Sequence, residues 1–283
     1  MADGAYRWFG NAPAPDAARV ADIHATYDEQ TVHAFGEPAR VLVEGGLERA
    51  LAAARVGDPS GVAAALADAR ARVEALRPQA LEPRRGLAGL FNGRGKRLKR
   101  FREAFHDAAA RLAASAAVLG EPIEGATRRS GALEAIWGEL RDGVADLDAH
   151  IASAARRLTG HTPSEDGASH PLQARKETLD ACRAAALQSL PLIRSAQNVD
   201  ARASEALKQC TDGLASWRDD WREALGLSGK RPRRIRPDGE RLARSRDQFL
   251  ARLDRTLADL TSFGVRRSEV ETRLAALRTT PGS

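Results

Sequence analysis

The chain has 283 residues, with 44 lysines and arginines against 38 aspartates and glutamates, for a net charge of +6. Aromatics make up only 5% and alanine, leucine, arginine and glutamate dominate, which implies an all-α fold: an elongated bundle of long antiparallel, coiled-coil-like helices without a sheet. Cys182 and Cys210 are the only cysteines and lie too far apart for a disulfide framework or a metal motif, and no apolar run approaches the roughly 20 residues a membrane-spanning helix needs.

Residues 1–30 are rich in Gly, Ala, Pro and Asp and read as a poorly ordered arm, with Trp8 and Phe9 as anchors that can dock on the body. The arm lacks the basic end and apolar core of a signal peptide, so a cytoplasmic protein is expected. Residues 31–78 read as two helices split at Gly57-Asp58-Pro59. The first carries Val41, Leu42, Leu47 and Leu51, the second Val62, Leu66, Val73 and Leu76.

Residues 79–160 hold a basic segment and the central helices. Pro78 to Pro83 breaks the preceding pair, and regular spacing resumes with Phe101, Phe105, Leu112, Ala116 and Leu119. Gly120, Pro122 and Gly125 then predict a kink or short break. Leu133, Trp137, Leu140, Val144, Leu147, Ile151, Ala154 and Leu158 form an unbroken seam, the spacing of a helix packed against another.

Residues 161–171 are a linker by composition. Residues 172–227 read as one long helix or a helix pair. Their polar centre, Gln197 to Asp200, holds neither proline nor glycine, which favours a continuous helix with a weakly packed middle. Pro191 removes one backbone donor and crowds the carbonyl of Leu187, so a kink is expected there. Leu207, Cys210, Leu214, Trp217, Trp221 and Leu225 step by three and four and predict a buried face with both tryptophans as packing anchors. A second linker, 228–239, precedes a last helix over 240–278. As one helix, its residues 240–277 would extend about 57 Å. Arg246 and Arg267 fall on its apolar seam, where a charge needs a partner or must snorkel.

The basic charge is local. Arg84, Arg85, Arg94, Lys96, Arg97, Lys99, Arg100 and Arg102 form one window without an acid. Lys230, Arg231, Arg233, Arg234, Arg236, Arg241, Arg244 and Arg246 form a second, against Asp238 and Glu240. Anionic contacts are expected at these two places. Three readings compete for the first window. Leu87, Leu90, Phe91, Leu98 and Phe101 can dip into a membrane interface while the arginines meet anionic headgroups. The arginines can instead bind an acidic protein or nucleic acid. Or the segment is a solvated loop whose apolar residues pack on the body.

The sequence carries no recognisable catalytic pattern. Gly86 to Gly95 has glycines but neither a preceding strand nor the lysine-serine ending of a phosphate cradle. The six histidines do not pair at metal-ligand spacing, and nucleophile signatures are absent. Cys182 and Cys210 sit on apolar seams, where a thiol behaves as a small inert hydrophobe. No catalytic residue, cofactor or metal site is expected.

The segment Leu187-Gln188-Ser189-Leu190-Pro191, followed by Ile193-Arg194 and later by Trp221 before Ala224-Leu225-Gly226-Leu227, resembles the TelA family of toxic-anion (tellurite) resistance proteins. Phe35-Gly36 with Asp58-Pro59-Ser60-Gly61-Val62, and Gly86 to Phe91 with its basic continuation, are further blocks of the same resemblance. The resemblance spans about Thr31 to Leu277, with Pro122 a departure where relatives look continuously helical. It implies a helical scaffold or adaptor in resistance to tellurite and envelope stress, with protein partners such as TerD-like or TerC-like stress proteins. Peripheral contact with the inner face of the membrane fits the same setting. It supplies no catalytic residues. A membrane-surface or nucleic-acid adaptor and a thiol-dependent oxyanion reductase stay open as alternatives. The candidate contact residues are Arg84, Arg85, Arg94, Lys96, Arg97, Lys99, Arg100, Arg102, Lys230, Arg231, Arg233, Arg234 and Arg236.

Overall fold

The computed structural model describes residues 14–55, 60–81, 93–159, 170–229, 232 and 235–278, with the side chain of Arg94 outside that description. Among the described residues the fold is all-α, without strand or sheet. Its helices are α1 (Ala17–Ala25), α2 (Glu37–Ala54), α3 (Ser60–Ala75), α4 (Arg94–Val118), α5 (Gly120–Thr159), α6 (Pro171–Ala224) and α7 (Gly239–Arg278), with 3-10 turns at Glu29–Ala34 and Pro78–Leu81. None of these helices is long and apolar enough to cross a membrane.

Local chemistry accounts for the boundaries. The arm expected over residues 1–30 already contains α1, because the Asp16 carboxylate accepts the Ala18 amide at 3.0 Å as an N-cap and Ile23 is buried. The break expected around Gly120 is confined to Leu119. Pro122 falls in the first turn of α5, where its missing amide has no intrahelical acceptor to lose. Residues 171–224 form a single helix of 54 residues that continues through Pro191. The 57–59 split and residues 161–169 of the 161–171 linker lie outside the described residues, and Pro171, read as linker, opens α6.

The chain divides into two compact units. The first comprises Met1–Val56, Arg128–Val199 and Arg266–Ser283, the second Gly57–Thr127 and Asp200–Val265. The polar centre singled out in α6 is the place of that division. Its Asp200 is buried, not solvated.

In the first unit, α2 and α5 run antiparallel, as the paired positions show: Gly46 lies against Leu140, Gly143 against Val43, and Arg49 pairs with Glu139. A Cβ on Gly143 would come within 2.7 Å of Val43, so the close crossing requires glycine there. α5 and α6 are likewise antiparallel, joined by Arg183 to Asp148 and Arg194 to Glu134. The α5 seam read from sequence supplies the core: Leu133, Leu140, Val144, Leu147 and Ala154 are fully buried, and the first four pack with Val43, Leu190 and Ile193 in one cluster. Arg267, only 4% exposed, donates to the carbonyls of Ala54 at 2.6 Å, Ala196 at 2.7 Å and Ala53 at 3.4 Å. It therefore takes up carbonyls that the C-terminus of α2 leaves open, which is how a seam arginine is tolerated.

In the second unit, α4 and α6 are antiparallel, as are α6 and α7. Its core is aromatic at one end. Trp217 and Trp221 are 3% and 0% exposed. Trp221 stacks on Phe105 and Phe101 at centroid distances of 5.7 and 5.9 Å, and Trp217 stacks on Phe249 at 5.6 Å. Arg246, the other seam arginine, reaches the Leu76 carbonyl at 3.3 Å and pairs with Asp247.

Candidate functional site: a basic end of the second unit

The two basic windows are more than a hundred residues apart in sequence, yet the second unit brings their described parts together. α6 ends in a Schellman turn: Gly226 has φ +67°, its amide donates to Glu223 O at 2.9 Å, and the Leu227 amide donates to Arg222 O at 2.7 Å. A Cβ on Gly226 would lie 3.0 Å from Ile235 and 3.2 Å from Nη2 of Arg102. One glycine thus sits between a residue of each window. It needs to be glycine for its φ and for this approach.

Further contacts gather the neighbouring helix ends. Arg241, near the start of α7, donates to Asp220 at 3.0 and 2.5 Å and to Glu223 at 3.2 Å. Asp238 caps α7 by accepting the Arg241 amide at 3.0 Å. Arg246 holds the end of α3 through Leu76 O. The start of α4, the end of α6, the start of α7 and the end of α3 therefore share one end of the second unit.

The first window divides by face. Arg102 points inward and donates from Nε and Nη2 to Leu225 O at 2.9 and 2.6 Å, and burial pushes its guanidinium pKa downward. It caps α6 and is not an outward contact, contrary to the expectation for it. Phe101 is 8% exposed and Leu98 packs against the core, so neither is available to dip into a membrane interface, which corrects that part of the membrane reading. Arg97 is half-buried, whereas Lys96, Lys99 and Arg100 are exposed. Of the second window, Arg236 is exposed. Arg84, Arg85, Lys230, Arg231, Arg233, Arg234 and the Arg94 side chain lie outside the described residues, as do Leu87, Leu90 and Phe91.

Two exposed arginines that sequence reasoning did not single out belong to the same end: Arg77, just beyond α3, and Arg222, in the last turn of α6. Their sequence neighbours are unremarkable in charge, and only the meeting of helix ends selects them. Among the described residues, no carboxylate pairs with Arg77, Lys96, Lys99, Arg100, Arg222 or Arg236. The acids nearby are engaged instead: Asp220 and Glu223 by Arg241, Asp219 by Arg218, and Asp247 by Arg246. Glu240 faces Arg244 at 3.9 Å. Glu103 is exposed on α4.

An open groove of about 440 Å³ between α6 and α7 holds Arg241 and Arg252, but Arg241 serves Asp220 and Arg252 donates to Gln209 O at 3.0 Å. Burial raises the Cys182 pKa to about 11 and also raises that of Cys210. Among the described residues, no group of three or more His, Cys, Asp or Glu side chains is placed to hold a metal. Comparison with family models, with curated proteins and with solved structures finds no match to this chain.

Proposed function

We propose that the chain is a non-enzymatic helical scaffold or adaptor in resistance to tellurite and envelope stress, similar in role to TelA-like proteins. One observation carries this reading: the residues that bear the resemblance are packing residues. Leu190, Ile193, Trp221 and Leu225 are fully buried, and Gly226 forms the turn that brings the basic windows together. What the resemblant segment encodes is therefore a junction of helices, with an exposed cationic surface beside it. Partners are proposed among stress proteins such as TerD-like or TerC-like proteins, met on the cytoplasmic side.

The protonated, core-facing thiols weigh against the reductase alternative, because a thiolate is the reactive form. The test is tellurite tolerance in cells that depend on this chain. The Cys182→Ser, Cys210→Ser double variant should protect as the parent does at equal abundance, and the purified parent should reduce tellurite no faster than free thiols in the same buffer. Catalytic reduction by the parent that disappears in the double variant, with fold and abundance unchanged, would overturn the scaffold reading.

A further inference from the structure

We infer that the basic end of the second unit docks on the phosphate headgroups of an anionic lipid surface through its exposed cations. This deepens the adaptor reading by naming what its cationic surface meets.

Exposed cations of both windows stand at this end. Lys96, Lys99 and Arg100 come from α4, Arg222 from α6, Arg236 from the approach to α7, and Arg77 from the end of α3. Those six cations fall within the four to eight that distinguish polybasic lipid-binding clusters. Asp219, Asp220, Glu223 and Asp247 already serve Arg218, Arg241 and Arg246, and the exposed Glu103, three and four residues from Arg100 and Lys99, offsets one of the six charges. The first turn of α4 adds to the positive field. It contains no acid, and its Gly93 cap offers no side-chain acceptor.

Two features select lipid over nucleic acid. Among the described residues the aromatics of this end, Phe101, Trp217 and Trp221, are buried in the core, so none of these stacks on a base as single-strand binders require. The helices at this end are packed against one another through their apolar faces, and the described cations come from four different helix ends, not from one projecting helix of the kind that enters a major groove. Nothing in a lipid headgroup layer calls for either feature. It offers a plane of phosphates to a set of dispersed cations, and each cation near it contributes independently.

The experiment is co-sedimentation of the full chain with vesicles of phosphatidylcholine alone and with 40% phosphatidylglycerol, at low and at high salt, alongside a duplex DNA fragment at matched phosphate concentration. Binding should need the anionic lipid and should fall steeply as salt rises. The triple variant Lys96→Gln, Lys99→Gln, Arg100→Gln should lower partitioning roughly a hundredfold, at about fivefold per cation. The pair Arg222→Gln, Arg236→Gln should also lower it, by roughly twenty-five-fold, because both windows form one surface. Arg111→Gln with Arg255→Gln, exposed on α4 and α7 away from this end, should leave it unchanged. All three variants change exposed residues, and circular dichroism verifies their helicity. Equal binding to neutral vesicles, an effect of the triple variant with none from the pair, or tighter binding to the duplex than to anionic vesicles would each overturn the proposal. Because vesicle binding by purified protein involves no phenotype, it can fail while tellurite protection stands, and the reverse.

Discussion

Trp221 offers a quantitative test of the second unit's core. Its side chain is fully buried, stacked on Phe101 and Phe105 and 4.9 Å from Trp217 in centroid distance. Trp221→Ala removes the largest fully buried side chain in the unit and leaves a cavity between helices that meet on either side of it. Truncations of this kind cost about 3–5 kcal/mol, and the three ring contacts place this one toward the upper part of that range. One term acts the other way. The indole Nε1 is buried without a hydrogen-bond partner among the described residues, a state that costs about 1–3 kcal/mol by itself. Trp221→Phe deletes that donor while keeping a ring on Phe105, so it should lie within about 2 kcal/mol of the parent. Urea denaturation followed by far-ultraviolet circular dichroism, in three parallel titrations, separates the cases. The reasoning fails if the alanine variant loses less than about 1 kcal/mol, or if phenylalanine is as damaging as alanine.

Other expectations follow from individual sites. Arg267→Met should destabilise the first unit by about 2–4 kcal/mol in the same titration, because the carbonyls of Ala53, Ala54 and Ala196 lose a buried cationic donor; a neutral result would mean that water serves those carbonyls equally well. Glu37 is held at about 2, below its usual 4.5, first by hydrogen bonds from Arg40 and then by Arg175. Its folded pKa is depressed, so its contribution is present above pH 4.5 and is lost as pH falls toward 2; in Glu37→Gln this acid-dependent loss should shrink. Glu37 is more than a third exposed, so solvent screening keeps the difference small. Cys182, with its pKa raised to about 11, stays protonated at pH 8 and should react with a thiol reagent at least tenfold slower than a free cysteine; a rate equal to free cysteine would contradict its placement on the α2 side of α6.

Helix faces were the part of this fold that sequence could disclose. Spacing by three and four is a property of one segment, and it placed Leu133, Leu140, Val144 and Leu147 on a buried seam and Trp217 and Trp221 on another. The continuity of α6 through its polar centre was favoured, because nothing between Gln197 and Asp200 ends a helix, but a helix pair stayed open in the sequence. The burial of Asp200 was not, since polarity alone cannot report a division between two packed units. Nor could seam arginines disclose their acceptors. Arg267 reads as a misplaced charge until the end of α2 arrives beside it with unused carbonyls.

The basic end shows the same limit from the other side. Each window could be read as positive, but charge density along a chain does not say which cations face water. That division was made by the core: Leu98 and Phe101 turn one side of α4 toward Trp221, which leaves Lys96, Lys99 and Arg100 on the other. The conversion of Arg102 from candidate contact to helix cap follows from the same rotation, because a residue one position past Phe101 falls where α6 ends. Part of the joining of the two windows is made at Gly226, whose left-handed backbone sits against both Arg102 and Ile235. Gly226→Val should therefore separate the two windows while sparing the seams of α4, α6 and α7, since a β-branched residue is strained at that φ and its Cβ would press on Ile235 and Arg102. Near-parental helicity, with a loss of lipid affinity resembling that of the Arg222, Arg236 pair, is the expected outcome. Retained affinity would mean that the windows act separately, and that the turn matters only to stability.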